Sequence, residues 1–206
     1  LSSENKGYSY GNNLGIQYAK SKFLFDFIII SNPDIKIIEL NLDVLKTLDK
    51  GTITGPKIIT SKRKNQNPFY YKRIKLSEFL VYKGFKNNNR MLLYIGIFIN
   101  KIARNINRLI NPNLTNVYGL HGSFLIFHSD VFKKINPVFD DNVFLYCEEN
   151  ILSITALKYN VTLVYNPNIG ILHYQDASTK YLKSQNSILK KSYLYYYENY
   201  VKEPKK

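Results

Sequence analysis

Short, dense apolar runs alternate along this chain with stretches in which apolar residues recur every three or four positions, the mark of buried strands separated by helices. The glycine-rich turn Gly7-Tyr8-Ser9-Tyr10-Gly11 leads into a predicted helix from about Asn12 to Lys20, and Phe25 to Ser31 reads as a strand. Leu42, Leu45 and Leu48 share one helical face before Gly51 ends that helix, and Ile53 to Ile59 predicts a short strand interrupted at Gly55-Pro56. Taken as a helix, Arg90 to Ile110 puts Lys101, Arg104 and Arg108 on one face and Ile102, Ile106 and Leu109 on another. Farther on come a strand at Ser123 to Phe127, a short helix near Asp130 to Ile135, an acidic loop at Asp140-Asp141 and a helix from about Glu148 to Tyr159. Val161 to Tyr165 and Ile169 to His173 predict two more strands, and Ser178 to Tyr200 a long helix rich in Tyr and Lys. Strands alternating with helices imply an α/β fold with a mostly parallel sheet covered by helices. The sequence holds no internal repeat.

Length and composition narrow this picture to one domain. With 206 residues, 45% of them hydrophobic, the chain can bury a single sizeable core over residues 1–206. One cysteine, Cys147, excludes an internal disulfide, and no Cys/His cluster has zinc-ligand spacing, so a reducing, cytoplasmic compartment is expected. The longest apolar run, Met91 to Ile99, is too short to span a bilayer, and Leu1-Ser2-Ser3-Glu4 lacks the charged start and apolar middle of a signal peptide. The abrupt polar start without Met suggests that a part of the fold precedes Leu1.

Charge changes the picture in one place. From Ser61 to Ile110 twelve Lys or Arg face one acid, Glu78, which accounts for +11 of the net +14. The basic stretch, extended to residue 116, is suited to an anionic surface, either a membrane or a charged acceptor. A solvated cationic helix packed on the domain is the plainer reading. Tyr and Phe interleaved with Lys and Arg, at Phe69 to Lys75 and Tyr181 to Lys202, also suit nucleic acid. No helix-turn-helix, finger or RNA-binding signature accompanies them, and no nucleic-acid partner is expected.

Candidate chemistry gathers at a few motifs. Asn32-Pro33-Asp34 directly follows the apolar run Phe27-Ile28-Ile29-Ile30-Ser31, so a strand ends on a carboxylate at the sheet edge where open α/β folds bind ligands. A divalent cation on a diphosphate would suit that group, although Pro-Asp also simply closes strands. Glu148-Glu149 opens a predicted helix, where the dipole favours the ionised form while the neighbouring carboxylate opposes it. His173 ends a strand. Around Gly7, glycine lets backbone amides approach a ligand and the asparagines offer both donors and acceptors.

In chain order, the run from Asn5 to Ile16, the turn Asn32-Pro33-Asp34, Gly122-Ser123-Phe124-Leu125-Ile126, Phe144-Leu145-Tyr146-Cys147-Glu148-Glu149 and His173-Tyr174-Gln175-Asp176-Ala177-Ser178-Thr179 resemble the family-2 inverting glycosyltransferases with the GT-A fold, in particular rhamnosyltransferase-like members. The resemblance spans most of the chain except Ser61 to about Asn116. It implies transfer of a sugar from a nucleotide-diphosphate donor to a glycan or lipid-linked hydroxyl in cell-surface polysaccharide synthesis, with Mg²⁺ or Mn²⁺ as cofactor and peripheral contact with the inner face of the membrane. It further implies Asp34 and His173 as metal ligands, Glu149 as base with Glu148 orienting the acceptor, and Gly122 and Ser123 beside the acceptor. Asn5, Gly7, Asn12, Asn13 and Asn32 would shape the donor pocket, with Ser178 and Thr179 as hydrogen-bond donors nearby. Two positions depart from the family pattern: Asn32 stands where a second metal-binding carboxylate is usual, and Glu149 where the base is usually Asp. An inactive carbohydrate-binding relative is the alternative.

Overall fold

A computed structural model describes residues 4–111, 115–174 and 185–202. Helix α1 (Tyr8–Lys22) precedes strands β1 (Phe27–Ser31) and β2 (Ile35–Glu39), then come α2 (Leu42–Lys46), β3 (Thr52–Thr60), α3 (Lys75–Lys86) and α4 (Arg90–Ile110). The chain continues through β4 (Asn116–Val117), β5 (Phe124–His128), α5 (Val131–Lys134), α6 (Glu148–Lys158), β6 (Thr162–His173) and α7 (Gln185–Tyr196), which passes into a π-helical turn at Tyr197–Val201.

The α/β expectation holds, with one sheet of order β1-β5-β3-β6-β2 and β4 paired outside that path to β6. The expected predominance of parallel pairing does not hold, because only β3 and β6 run parallel and the other four pairings are antiparallel. Apolar runs report burial on both faces, not strand direction. In β5, Phe124 and Ile126 join a cluster with Ile58, Ile169 and Ile171, while Leu125 and Phe127 join the main core on the other face. Both faces are therefore covered.

The order of strands forces the sheet to curl. Ser31 ends β1 and Ile35 begins β2, yet these strands lie at opposite ends of the sheet order. Four residue steps reach at most about 14 Å, whereas four flat strand spacings cover about 19 Å. The sheet curls, and register shifts sit in the long strands: β3 and β6 slip between Pro56 and Lys57, and β2 and β6 slip between Ile37 and Glu39. The turn Asn32-Pro33-Asp34 bridges the two edges.

Local chemistry adjusts several predicted boundaries. Helix α1 starts at Tyr8, because Gly7 caps it with φ +99° and a Cβ there would collide with the Phe144 backbone. The two strands expected at 161–165 and 169–173 are one, β6, with Asn166-Pro167-Asn168 absorbed as an irregularity in which Asn166 Oδ1 accepts from Asn168 N at 3.0 Å. Helix α4 spans the residues its apolar spacing predicts. It crosses α3 closely, where Gly96 and Gly84 leave room for the neighbouring backbone and Ser77 Oγ donates to the Gly96 carbonyl at 2.7 Å.

Candidate active site

At the curled end of the sheet lies a cavity of about 980 Å³, at the upper end of the range for small-molecule sites. Asp34, His173, Glu148 and Glu149 all line it. So do Asn5, Gly7, Asn32, Gly122 and Ser123.

Strand register builds one wall. Pairing of Ile35 with His173 sets Asp34 beside the end of β6, where Tyr174 N donates to the Asp34 carbonyl at 3.0 Å. His173 Nε2 then sits 3.4 Å from Asp34 Oδ1. Pairing of Ser31 with Phe124 likewise brings Asn32 N within 2.9 Å of the Ser123 carbonyl. Behind these groups runs a line of hydrogen bonds. Gln66 Oε1 lies 2.7 Å from His173 Nδ1, Gln66 Nε2 lies 3.1 Å from His121 Nε2, and His121 Nδ1 lies 3.0 Å from Ser123 Oγ. Asn67, fully buried, fixes this line by accepting from His121 N at 2.7 Å and donating to the Pro56 carbonyl at 2.8 Å.

His173 Nδ1 faces the Gln66 amide and its Nε2 faces Asp34. With Nδ1 donating to the Gln66 carbonyl, the lone pair of Nε2 is free to ligate a cation beside Asp34. Two acceptors so placed suit a cation between them, the imidazole being held by an outer hydrogen bond as metal-bound histidines are. Among the described residues no three His, Cys, Asp or Glu side chains group as a metal cage. A Mg²⁺ or Mn²⁺ ion here would draw its remaining ligands from phosphate oxygens and water.

The N-terminus of α6 forms the facing wall. Tyr146 and Cys147 both adopt left-handed backbone, φ +70° and +68°, and this double turn delivers Glu148 and Glu149 to the cavity. Gly122 N donates to Glu149 Oε1 at 3.1 Å, and the Gly122 carbonyl accepts from the Tyr8 hydroxyl at 2.7 Å. A Cβ at position 122 would press on Glu149 Oε1 at 3.0 Å. Gly122-Ser123 therefore ties the glutamate wall to the sheet wall.

The two glutamates differ in environment. Burial and then the charge of Glu149 push the Glu148 carboxyl up to about 8, so it holds its proton at neutral pH. Its Oε1 is buried without a hydrogen-bond partner among the described residues. Burial holds His121 below the ordinary imidazole range, which keeps that ring neutral too. Burial, reinforced by Glu149 and Glu148, raises the Tyr8 phenol and the Cys147 thiol.

Asn12 and Asn13 do not reach the cavity. Asn12 Nδ2 donates to the Tyr8 carbonyl within its own helix, and buried Asn13 exchanges hydrogen bonds with the Phe139 backbone and donates to Asp141 Oδ1 at 2.6 Å. Neither lines the cavity, since α1 begins one turn earlier than predicted and its buried face takes Asn13 into the core. Ser178 and Thr179 lie outside the described residues. The sequence assigned no role to Gln66 or His121. Gln66 carried no local signal, whereas His121 adjoins Gly122-Ser123 and could have been drawn in by that adjacency.

No family model matches the chain. The low-salt glycan biosynthesis hexosyltransferase Agl10 of Haloferax volcanii is 23% identical over 196 residues, covering 90% of this chain and 57% of that protein. The rhamnosyltransferase WbbL of Escherichia coli is 27% identical over 176 residues, covering 82% of this chain and 61% of that protein. The chain thus spans a little over half the length of the curated relatives it matches. A solved structure of GalNAc-T7 with UDP, GalNAc and Mn²⁺ aligns over 86% of this chain and 33% of that one, at 13% identity and a TM-score of 0.49. Both sequence relatives bear the names of sugar transferases, in keeping with the order of motifs read above, and it is to such glycosyltransferases that the chain is similar.

Proposed function

We propose that this chain carries the catalytic centre of a metal-dependent inverting glycosyltransferase that moves a sugar from a nucleotide-diphosphate donor to a glycan or lipid-linked hydroxyl in cell-surface polysaccharide synthesis. The observation that carries the reading is that the Asp34–His173 pair and the Glu148–Glu149 pair open into one cavity. Opposite sides of the molecule would have ruled it out. The names of the two sequence relatives support the same chemistry.

Each residue takes a distinct task in this reading. Asp34 and His173 would hold a divalent ion, which when bound would supply Lewis-acid neutralisation of the departing diphosphate. Asn5, Gly7 and Asn32 shape the donor side, where Gly7 permits a close backbone approach. Glu149 removes the proton from the attacking hydroxyl, and its carboxylate is aimed by Gly122 N. Glu148 keeps its own proton and offers a hydroxyl-type donor to a sugar or acceptor oxygen. One displacement from the face opposite the diphosphate inverts the anomeric carbon and needs no enzyme nucleophile. A cytoplasmic location at the inner face of the membrane follows from the donor and the lipid-linked acceptor.

A screen of nucleotide sugars for release of nucleoside diphosphate, with and without Mn²⁺, tests the proposal. Release with a subset of donors, dependent on metal and abolished by Glu149→Gln, is expected. Binding of glycan with no response to any nucleotide sugar would favour the inactive carbohydrate-binding relative instead.

A further inference from the structure

Helix α4 carries an apolar face that the fold does not cover. Met91, Ile95, Phe98, Ile102, Ile106 and Leu109 recur every three or four residues, and all are exposed, from 41% at Ile102 to 82% at Leu109. Their row runs about 27 Å along the helix. Only Gly96 of the whole helix is buried, against α3. A row of this length needs an occupant.

Charge selects the occupant. No Asp or Glu occurs from residue 79 to residue 129, while Lys83, Lys86, Arg90, Lys101, Arg104 and Arg108 all fall in that interval. Arg90, Lys101, Arg104 and Arg108 occupy the flank of α4 next to the apolar row, roughly a third of a turn around the helix. A second copy docked through a twofold contact along α4 would bring these cations against their equivalents with no acid on α4 to offset them. An anionic lipid surface meets both requirements at once, burying the apolar row among acyl chains and pairing the exposed Arg90 and Lys101 with headgroups. Lys101, Arg104 and Arg108 within the helix preclude a spanning segment, and among the described residues no helix is long and apolar enough to cross a membrane.

We infer that α4 lies in the plane of an anionic bilayer with Met91, Phe98, Ile102 and Leu109 inserted. The same helix touches the cavity wall, because Arg108 reaches the carbonyl of Asn65, the neighbour of Gln66. The inference stands apart from sugar transfer and names the surface by which the chain would meet a lipid-borne acceptor.

Flotation with vesicles of phosphatidylcholine alone, and of phosphatidylcholine mixed with phosphatidylglycerol, tests it. At least about tenfold stronger partition onto the anionic vesicles is expected. Joint substitution Phe98→Ser and Ile102→Ser should lower that partition at least tenfold, and Arg90→Gln with Lys101→Gln should remove the anionic preference. Circular dichroism melts check that the variants fold; Ile106→Ser with Leu109→Ser replaces the first pair if it does not. Failure of the wild-type chain to float, flotation unaffected by either serine pair, or a dimer dispersed by the serine pair would each overturn the inference. Because the readout is lipid binding, metal-dependent donor turnover can fail while flotation succeeds, and the reverse.

Discussion

The two walls of the cavity are built by different means. The Asp34–His173 wall is held by strand register and a half-buried line of hydrogen bonds in which Gln66 and His121 each have partners on both sides. The Glu148–Glu149 wall is delivered by two consecutive left-handed residues and leaves a buried carboxyl oxygen without a partner among the described residues. A register-built wall suits fixing a cation and diphosphate, whose geometry is the same at every turnover. A wall with unspent hydrogen-bonding capacity suits the reacting sugar and hydroxyl. Under the proposed function, pre-organisation and reactivity fall to separate parts of one pocket.

Substitutions on each wall should separate the proposed roles, and the largest effect is expected at Glu149, the proposed base. Glu149→Gln should lower transfer by about 10³-fold while leaving nucleotide-dependent stabilisation intact. Loss of both together would mean that Glu149 belongs to the binding wall.

Next in size is the response of stability to pH. The native Glu148 carboxyl keeps its proton up to about 8, whereas the unfolded chain releases it near 4.5. The native state therefore binds more protons through that window, so stability falls as pH rises across it and levels off above. By linkage the fall is at most about 1.4 kcal/mol for each pH unit between those two values. Urea melts at the two ends of the window should show this fall in the wild-type chain and its removal in Glu148→Gln. An unchanged slope would show that Glu148 is not the group left protonated.

Asn13→Ala should cost about 2 kcal/mol of stability, because it strands the Phe139 backbone, with no change in nucleotide binding. Reduced donor affinity without destabilisation would restore the donor role that the sequence suggests. The smallest effect should come from Gln66→Leu, which frees the His173 tautomer. Outer partners of metal-bound histidines are worth at least about tenfold in affinity, so the Mn²⁺ concentration for half-maximal stabilisation should rise by that factor while the melting curve without metal barely moves.

How much of this was legible in the sequence follows from how local each signal is. Apolar runs such as Phe124 to Phe127, the period of α4, and the Asn32-Pro33-Asp34 turn are local, and each was readable. Strand β2 was not, because Ile37 and Ile38 sit half-exposed on an edge and leave no clean alternation. Antiparallel pairing was invisible, since two-sided burial makes β5 look like a strand of a parallel sheet. Asn166-Pro167-Asn168 resembled a break because a Pro at a strand irregularity and a Pro in a turn leave the same mark. Among the site residues, those flanking a strand or helix end were found from their motifs. Gln66 belongs to the site only because β3 and β6 run side by side, which no spacing in the sequence encodes.

The central claim is that Asp34 and His173 hold a cation for a diphosphate opposite the glutamate pair. Thermal unfolding of the wild-type, Asp34→Ala and Glu149→Gln chains with nucleoside diphosphate, Mn²⁺, neither or both tests it most directly. The account predicts a rise in melting temperature for wild type and Glu149→Gln only when both ligands are present, and none for Asp34→Ala. An equal rise without metal, or an undiminished one in Asp34→Ala, would contradict it.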